Sequence, residues 1–342
     1  MEVDLFGIDL AKRVFQLHGA DRRGNALHRS KVSRAALVET IKELYPRVIA
    51  IEACSSAHHW GRRFQQFGIE VKLISPHFVK PFVKTNKNDR NDAEAIVEAA
   101  SRPSINFVPV KSVEQQDMQA VHRVRELLVH QRTSIINQAR GLLGEHGITI
   151  AKSPPAFKKA IPEILKEAEG ELTTFCQMLL KMMLEQFHSI EDKITRAESW
   201  IDAFLKESTM CQKIAAIQGI GAVTATAIVA AVGDAREFKN GRHLAAWIGL
   251  VPRQHSSGGK SRLLGISKHG DTYLRTLLIH GARSVLIRVA CKKDTRSRWL
   301  QELIARRGYN RAAVALANKN ARMIQVLLSS EISYRPPLVA VV

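Results

Sequence analysis

The run that most constrains this chain is Val48-Ile-Ala-Ile-Glu52, four apolar residues closed by a carboxylate. A strand this apolar reads as buried, and an unpaired acid at its end costs several kilocalories per mole. Val3-Asp-Leu-Phe-Gly-Ile-Asp9 alternates and ends the same way, on Asp9. After a tight Ala-Lys turn, Arg13-Val-Phe-Gln-Leu-His-Gly and then Ala26 to Val32 complete an antiparallel meander. Ser33 is expected to cap an amphipathic helix with Leu37, Ile41 and Leu44 on one face. His58 to Phe67 reads as a helix and Glu70-Val-Lys-Leu-Ile as a strand; Pro76 breaks the pattern and a helix follows from Asn91. Three strands followed by alternating helices and strands predict an α/β domain with a mixed sheet.

Two more acids lie in Asn86-Lys-Asn-Asp-Arg-Asn-Asp-Ala93, among Lys84, Lys87 and Arg90. With the helix starting at Asn91, Asp89 stands at its entry and Asp92 one turn in, on the same side. A helix cap and a first-turn acid would account for this pair alone. Asp9 and Glu52 change the reading. Neighbouring strands lie about 5 Å apart, so two strand-end acids can converge on one ion while Asp89 and Asp92 approach from the helix. Four carboxylates without His or Cys form a hard oxygen site, suited to Mg²⁺ or Mn²⁺ rather than zinc. Such ions clamp the attacking and leaving oxygens of a phosphodiester.

The charge points to the same substrate class. The 342 residues hold 51 Lys and Arg against 32 Asp and Glu, a net +19. Between Gly249 and Val342 the count is 17 against four, so +13 of the excess falls in the last quarter. A polyanion, most commonly nucleic acid, is the partner this implies. Cys54, Cys176, Cys211 and Cys291 are far apart, which argues against a zinc ribbon or disulfide framework and fits a reducing cytoplasm. Met1-Glu-Val-Asp is acidic, unlike a secretory leader, and no apolar run reaches transmembrane length, so no membrane partner is expected.

From Val113 to about Gly147, Met118, Val121, Val124, Leu127, Leu128, Thr133, Ile135, Ile136 and Leu142 recur with heptad-like spacing, flanked by Arg123, Arg125, Arg132 and Arg140. Ser153-Pro-Pro marks a break. A second helical block from about Leu172 to Leu205 carries Met178, Leu179, Met182, Met183, Phe187, Ile190 and Ile194, a packing face for the first block or for a second subunit. Ile217 to Asp234 reads as two helices around Gly-Ile-Gly, either a structural hairpin or a backbone approach to phosphate. Next, a flexible Ser-Ser-Gly-Gly loop is expected between an apolar helix (Leu244 to Leu250) and one beginning near Asp271. Arg253, His255, Lys260, Arg262, Lys268 and Arg275 surround it. The loop either grips backbone phosphates or presents a hydroxyl in a cationic nest for attack on phosphorus. Helices at Arg298–Arg307 and Arg311–Leu328 and a loose tail from Pro336 complete the chain.

Gly7-Ile-Asp9-Leu-Ala-Lys, Ile51-Glu52-Ala and Asn88-Asp89-Arg-Asn-Asp92-Ala resemble the D-E-D-D pattern of RuvC-like, RNase H-fold domains. This pattern is carried by insertion-sequence transposases of the IS-one-ten / IS-eleven-eleven group. The basic loop, with Leu274-Arg-Thr-Leu-Leu-Ile-His-Gly-Ala-Arg283, resembles that group's C-terminal domain. The resemblance implies an RNase H-like (RuvC-like) α/β domain over 1–108, a helical coiled-coil dimerisation segment over 109–208, a mainly α serine domain over 209–330 and a tail over 331–342. It implies a transposase or recombinase in which Asp9, Glu52, Asp89 and Asp92 bind Mg²⁺ and a serine before glycine holds DNA as a phosphoserine. The match points to Ser257, with Ser256 its neighbouring alternative and Ser261 and Ser267 poorer fits. Arg253, Lys260, Arg262, Lys268 and Arg275 would contact nucleic acid. Donor and target DNA, a structured non-coding RNA from the element, and a dimer or tetramer are the partners implied. The rival readings are a metal-only nuclease such as a junction resolvase, with water attacking, and a non-catalytic nucleic-acid-binding protein.

Overall fold

A computed structural model describes residues 3–83, 89–167, 171–258 and 260–336, with the backbone alone of residues 89 and 90. Two compact units divide between Glu114 and Gln115. The first holds β1 (Leu5–Asp9), β2 (Val14–Ala20), β3 (Ala26–Ser33), α1 (Leu37–Leu44), β4 (Val48–Glu52), α2 (Ala57–Gln65), β5 (Glu70–Ile74), α3 (Pro76–Val79), α4 (Asp89–Ala100) and β6 (Phe107–Val108). Its six strands form one sheet in the order β3-β2-β1-β4-β5-β6. β1, β4 and β5 are parallel to one another; β2, β3 and β6 pair antiparallel to their neighbours. The mixed sheet expected from the alternation is present.

Each face of the sheet has its own core, as period-two alternation requires. Phe6, Ile8, Ile49 and Ile51 join Leu37 and Ile41 of α1 and Trp60 and Phe64 of α2 in one cluster. Ala50, Ile74 and the partly buried Leu5 join Ile96 and Ala99 of α4 in the other. α1 starts later than expected. Ala36 stands at its N-cap position without a side-chain cap, and the Ser33 hydroxyl accepts from the Ala36 N–H at 3.3 Å, closing the preceding turn.

The second unit contains α5 (Val113–Glu145, entered from the first), α6 (Pro154–Glu167), α7 (Thr174–Glu207), α8 (Thr209–Ala215), α9 (Ala222–Val232), α10 (Gly241–Trp247), β7 (Pro252–Ser257), β8 (Lys260–Ile266), α11 (Thr272–Leu286), α12 (Thr295–Arg307) and α13 (Tyr309–Ser329). α5 and α7 run antiparallel: Arg125 pairs with Glu198 at 2.6 Å and Arg132 with Glu191 at 2.5 Å, seven residues forward on one helix and seven back on the other. Ile136, Ala139 and Leu143 of α5 and Leu180, Phe187 and Ile190 of α7 bury a shared core between them. The Pro-Pro pair read as a break opens α6, where prolines at the first helical positions lose only N–H groups that have no intrahelical acceptor. Residues 337–342 of the expected tail lie outside the described residues. No described helix is long and apolar enough to cross a membrane.

A buried polar clamp ties α5 to α9 and α11. His122 is 3% exposed, its Nδ1 lying 3.0 Å from the Tyr273 hydroxyl and its Nε2 2.9 Å from Thr226 Oγ1. Thr226 Oγ1 donates to the Ala222 carbonyl at 2.8 Å, so it accepts from Nε2–H, which leaves Nδ1 to accept from the tyrosine. The neutral ring is thus fully satisfied. Burial first, then the Arg125 charge, depresses the His122 pKa from 6.5 to about 4. Between those values the unfolded chain takes up a proton that the folded one refuses, so stability falls as the pH drops through the window and levels off below it. His58, depressed to about 4 by burial and then Lys111 and Arg62, acts with the same sign in the first unit. Urea unfolding at pH 7 and pH 4.5 is expected to show this loss, up to about 3 kcal/mol from His122. His122→Gln is expected to be less stable at pH 7 and to lose the His122 share of the slope.

Candidate active site

β1 and β4 are paired in parallel with Ile8 opposite Ile51, so one further step sets Asp9 beside Glu52 at the carboxyl ends of adjacent strands. Strand alternation puts Asp9 on the face of Gly7 and Glu52 on the face of Ala50, the side that α4 covers. Both are half-buried. The Cys54 thiol senses both carboxylates: its pKa is pushed up by burial, then by Glu52, then by Asp9.

α4 reaches these acids through a bare stretch of backbone. A Cβ on Gly7 would lie 2.6 Å from Val97 Cγ2 and 2.7 Å from the Ala93 carbonyl oxygen. The later α4 residues Glu98 and Ser101 line a cavity with Asp4 and Leu5, at the opposite end of β1. The helix therefore runs antiparallel to β1, and its first turn, with Asp89 and Asp92, is directed to the end of the sheet where Asp9 and Glu52 sit. The Asp89 side chain is outside the described residues. Among the described residues, no three His, Cys, Asp or Glu are grouped closely enough to hold a metal ion. The donor set itself, all carboxylate oxygens, suits a hard divalent cation.

The basic stretch forms a hairpin where a flexible loop was expected. β7 and β8 pair antiparallel, with Ser257 opposite Lys260, Ser256 opposite Ser261 and His255 opposite Arg262. Gly258 follows the serines at φ +53°, a left-handed turn conformation that glycine adopts without strain. Directly opposed residues share a face, so Ser257, His255, Lys260 and Arg262 lie on one side of the ribbon. Ser256, Ser261 and Gln254 lie on the other, where Gln254 Nε2 donates to Ser256 Oγ at 2.8 Å. Ser257 is exposed, and its hydroxyl makes no hydrogen bond among the described residues. The two neighbouring serines thus occupy different chemical settings, one beside cations and the other tied to an amide.

Arg253 is exposed on β7, near a register shift between Pro252 and Gln254, and Lys268 is exposed just beyond β8. Arg275 departs from the expected basic surface. It is 8% exposed, and its guanidinium donates to the carbonyls of Ile248 (3.0 Å) and His269 (3.1 Å) and to Thr272 Oγ1 (3.0 Å). It secures the segments flanking the hairpin and leaves phosphate contact to its exposed neighbours. His255 is the residue whose place sequence reading undervalued: strand alternation with Ser257 would have marked it, had the stretch been read as a strand. The acids belong to the first unit and the hairpin to the second.

Residues 6–148 match the family described as a DEDD transposase of the IS110 type, and residues 211–299 match the transposase family IS116/IS110/IS902. The chain belongs to this transposase family, enzymes that cleave DNA and transfer its strands. It is 50% identical over 337 residues to a probable family 20 transposase of Pseudomonas aeruginosa, covering 98% of this chain and 100% of that protein. It is 48% identical to the transposase for insertion sequence element IS1111A of Coxiella burnetii, covering 98% of this chain and 92% of the relative. Identity to the transposase for element IS1328 of Yersinia enterocolitica is 40%, over 95% of this chain and 96% of the relative. The match to a DEDD domain carries the expectation of a divalent cation.

Gly7→Ala tests the close approach of α4. The added methyl meets a backbone oxygen that cannot rotate away, so the helix must shift, at a cost of about 1–3 kcal/mol. The expected readout is a lower urea midpoint at unchanged slope, together with weaker divalent-dependent DNA cleavage.

Proposed function

We propose that this transposase works through two groups: an acidic tetrad, Asp9, Glu52, Asp89 and Asp92, and a serine nucleophile, Ser257. The observation that carries the reading is the register that sets Asp9 beside Glu52 at the carboxyl ends of the two central strands, on the face that α4 covers. Two carboxylates at neighbouring strand ends, with two more on the incoming helix, make an all-oxygen donor set of the kind a hard divalent cation takes. The N-terminal unit is read as RuvC-like, with functional segments at 1–108, 109–208 and 209–330. Mg²⁺, or Mn²⁺ in its place, would supply charge neutralisation and orientation of the phosphate when bound.

Ser257 is preferred over Ser256 because it shares a face with Lys260 and Arg262. Its Oγ forms a bond to the scissile phosphorus as the bond to the bridging sugar oxygen breaks. The serine loses a proton, the departing oxygen gains one, and the phosphodiester energy is kept in the phosphoserine for rejoining. Lys260 and Arg262 stabilise the charge that builds on the non-bridging oxygens. Arg253 and Lys268 hold flanking phosphates. The acids and the serine belong to different units, so the reading assigns their meeting to assembly on DNA in a dimer or tetramer, with an element-encoded RNA as guide.

Two measurements test this. On a denaturing gel with labelled donor DNA, element RNA and Mg²⁺, a covalent protein–DNA band is expected from wild type and Ser256→Ala and absent from Ser257→Ala. Cleavage without any covalent band, surviving both changes, would move the assignment to a metal-only nuclease. In a Mg²⁺ titration, Asp9→Asn is expected to lower cleavage by several orders of magnitude, and undiminished cleavage would remove Asp9 from the site.

A further inference from the structure

A second basic surface is built on the helices that close the C-terminal unit, from residues outside the hairpin. A groove of about 1180 Å³ runs between the start of α10, one face of α12 and α13, and the segment after α13. It exceeds the roughly 300–1,000 Å³ of ordinary small-molecule clefts, so a length of polymer fits it better than a metabolite. Arg242, Lys319, Arg322 and Arg335 line it, and no Asp or Glu does. None of the four is paired with a carboxylate among the described residues. Behind the wall stands another cation. Arg296 is 6% exposed, bonded through NH1 to the groove's Tyr334 hydroxyl at 3.1 Å and through NH2 to Asn320 Oδ1, with its Nε unpartnered. Buried cations without carboxylates raise the potential of the surface above them.

The rest of the lining is mostly aromatic and apolar, with Asn240, Asn318 and Ser333 among it. Trp299 contributes its indole, and Lys319 Nζ rests 4.6 Å from the ring centroid. Ile332 at the rim is 60% exposed. Cations that reach a backbone, beside a ring that accepts a flat partner, are the two components of a single-strand binding groove. A duplex would offer only phosphates here, since its bases are stacked on one another. We infer that this groove binds an unpaired stretch of DNA. One base stacks on Trp299 in the place Lys319 now takes, and Arg242, Lys319 and Arg322 hold the adjoining phosphates. Displacing Lys319 is favourable because an exposed cation–π contact is weaker than base stacking on an indole. Single-stranded DNA is the occupant because an enzyme that cleaves DNA and transfers its strands releases strand ends. The inference rests on the transposase activity alone and is independent of which residue attacks the strand.

The test is fluorescence anisotropy of the full chain with a 5′-labelled oligothymidylate of about 12 nucleotides, against a duplex and an RNA of equal length. Trp299→Ala is expected to weaken single-strand binding about 5- to 150-fold while Trp299→Phe retains most of it, with duplex affinity unchanged in both. Arg242→Gln with Arg322→Gln is expected to reduce the slope of log affinity against log salt by about 1.4 for the single strand. Both arginines are exposed, so this double variant carries the test if Trp299→Ala melts early. Unchanged single-strand affinity in these variants, equal losses on single strand and duplex, or a loss confined to RNA would each overturn the inference. DNA cleavage that survives Asp9→Asn or Ser257→Ala, with oligothymidylate binding intact, would count against the tetrad or the serine, not against this groove.

Discussion

The contact between Gly7 and helix α4 underlies the arrangement of the first unit. β1 can hold α4 this closely only because Gly7 has no side chain, and the helix answers with small residues, Ala93 and Ala95 among them. One geometric consequence follows from the direction of the helix: its first turn, with two aspartates, is carried to the edge where β1 and β4 end in acids. Two faces of a sheet each need a core. Here one is built from large rings and branched chains, and the other is left thin enough for a helix to bring charge close to the strands.

The second unit is organised by buried polar links as much as by apolar packing. His122 joins three helices while remaining neutral, and Arg275 gathers two carbonyls and a hydroxyl beneath the hairpin. These groups have few ways to be satisfied, and each fixes the relation of elements distant in sequence. Apolar contacts alone tolerate sliding; these bonds do not.

Much of this was legible in the sequence, for reasons that differ by element. The strands of the first unit announced themselves because one face is buried and alternation follows. α5 and α7 did so because long helices with an apolar stripe have few other readings. The hairpin was not legible as strands: Arg253 to Ser257 lacks an apolar alternation because neither face of the ribbon is buried. α6 was hidden by prolines that serve as a start rather than a stop, with Pro162 inside it. Arg275 was misjudged because charge alone does not separate a guanidinium that meets phosphate from one that collects carbonyls. For the acids, the residues were evident, but the direction of α4 relative to the two strand ends was not, because no local pattern encodes it.

The exposure of the β7–β8 ribbon has a consequence for control. Every described residue from Pro252 to Gly265 is exposed, so the ribbon keeps its shape by its own ladder and little else. An isolated two-stranded hairpin is marginally stable in water. The hydroxyl proposed to attack the strand therefore stands on an element with neither face buried. Whatever surface the ribbon settles against helps to define the geometry at its tip. On the proposed reading, the final alignment would then come from the substrate, and a chain meeting no properly shaped complex would hold an unarmed blade.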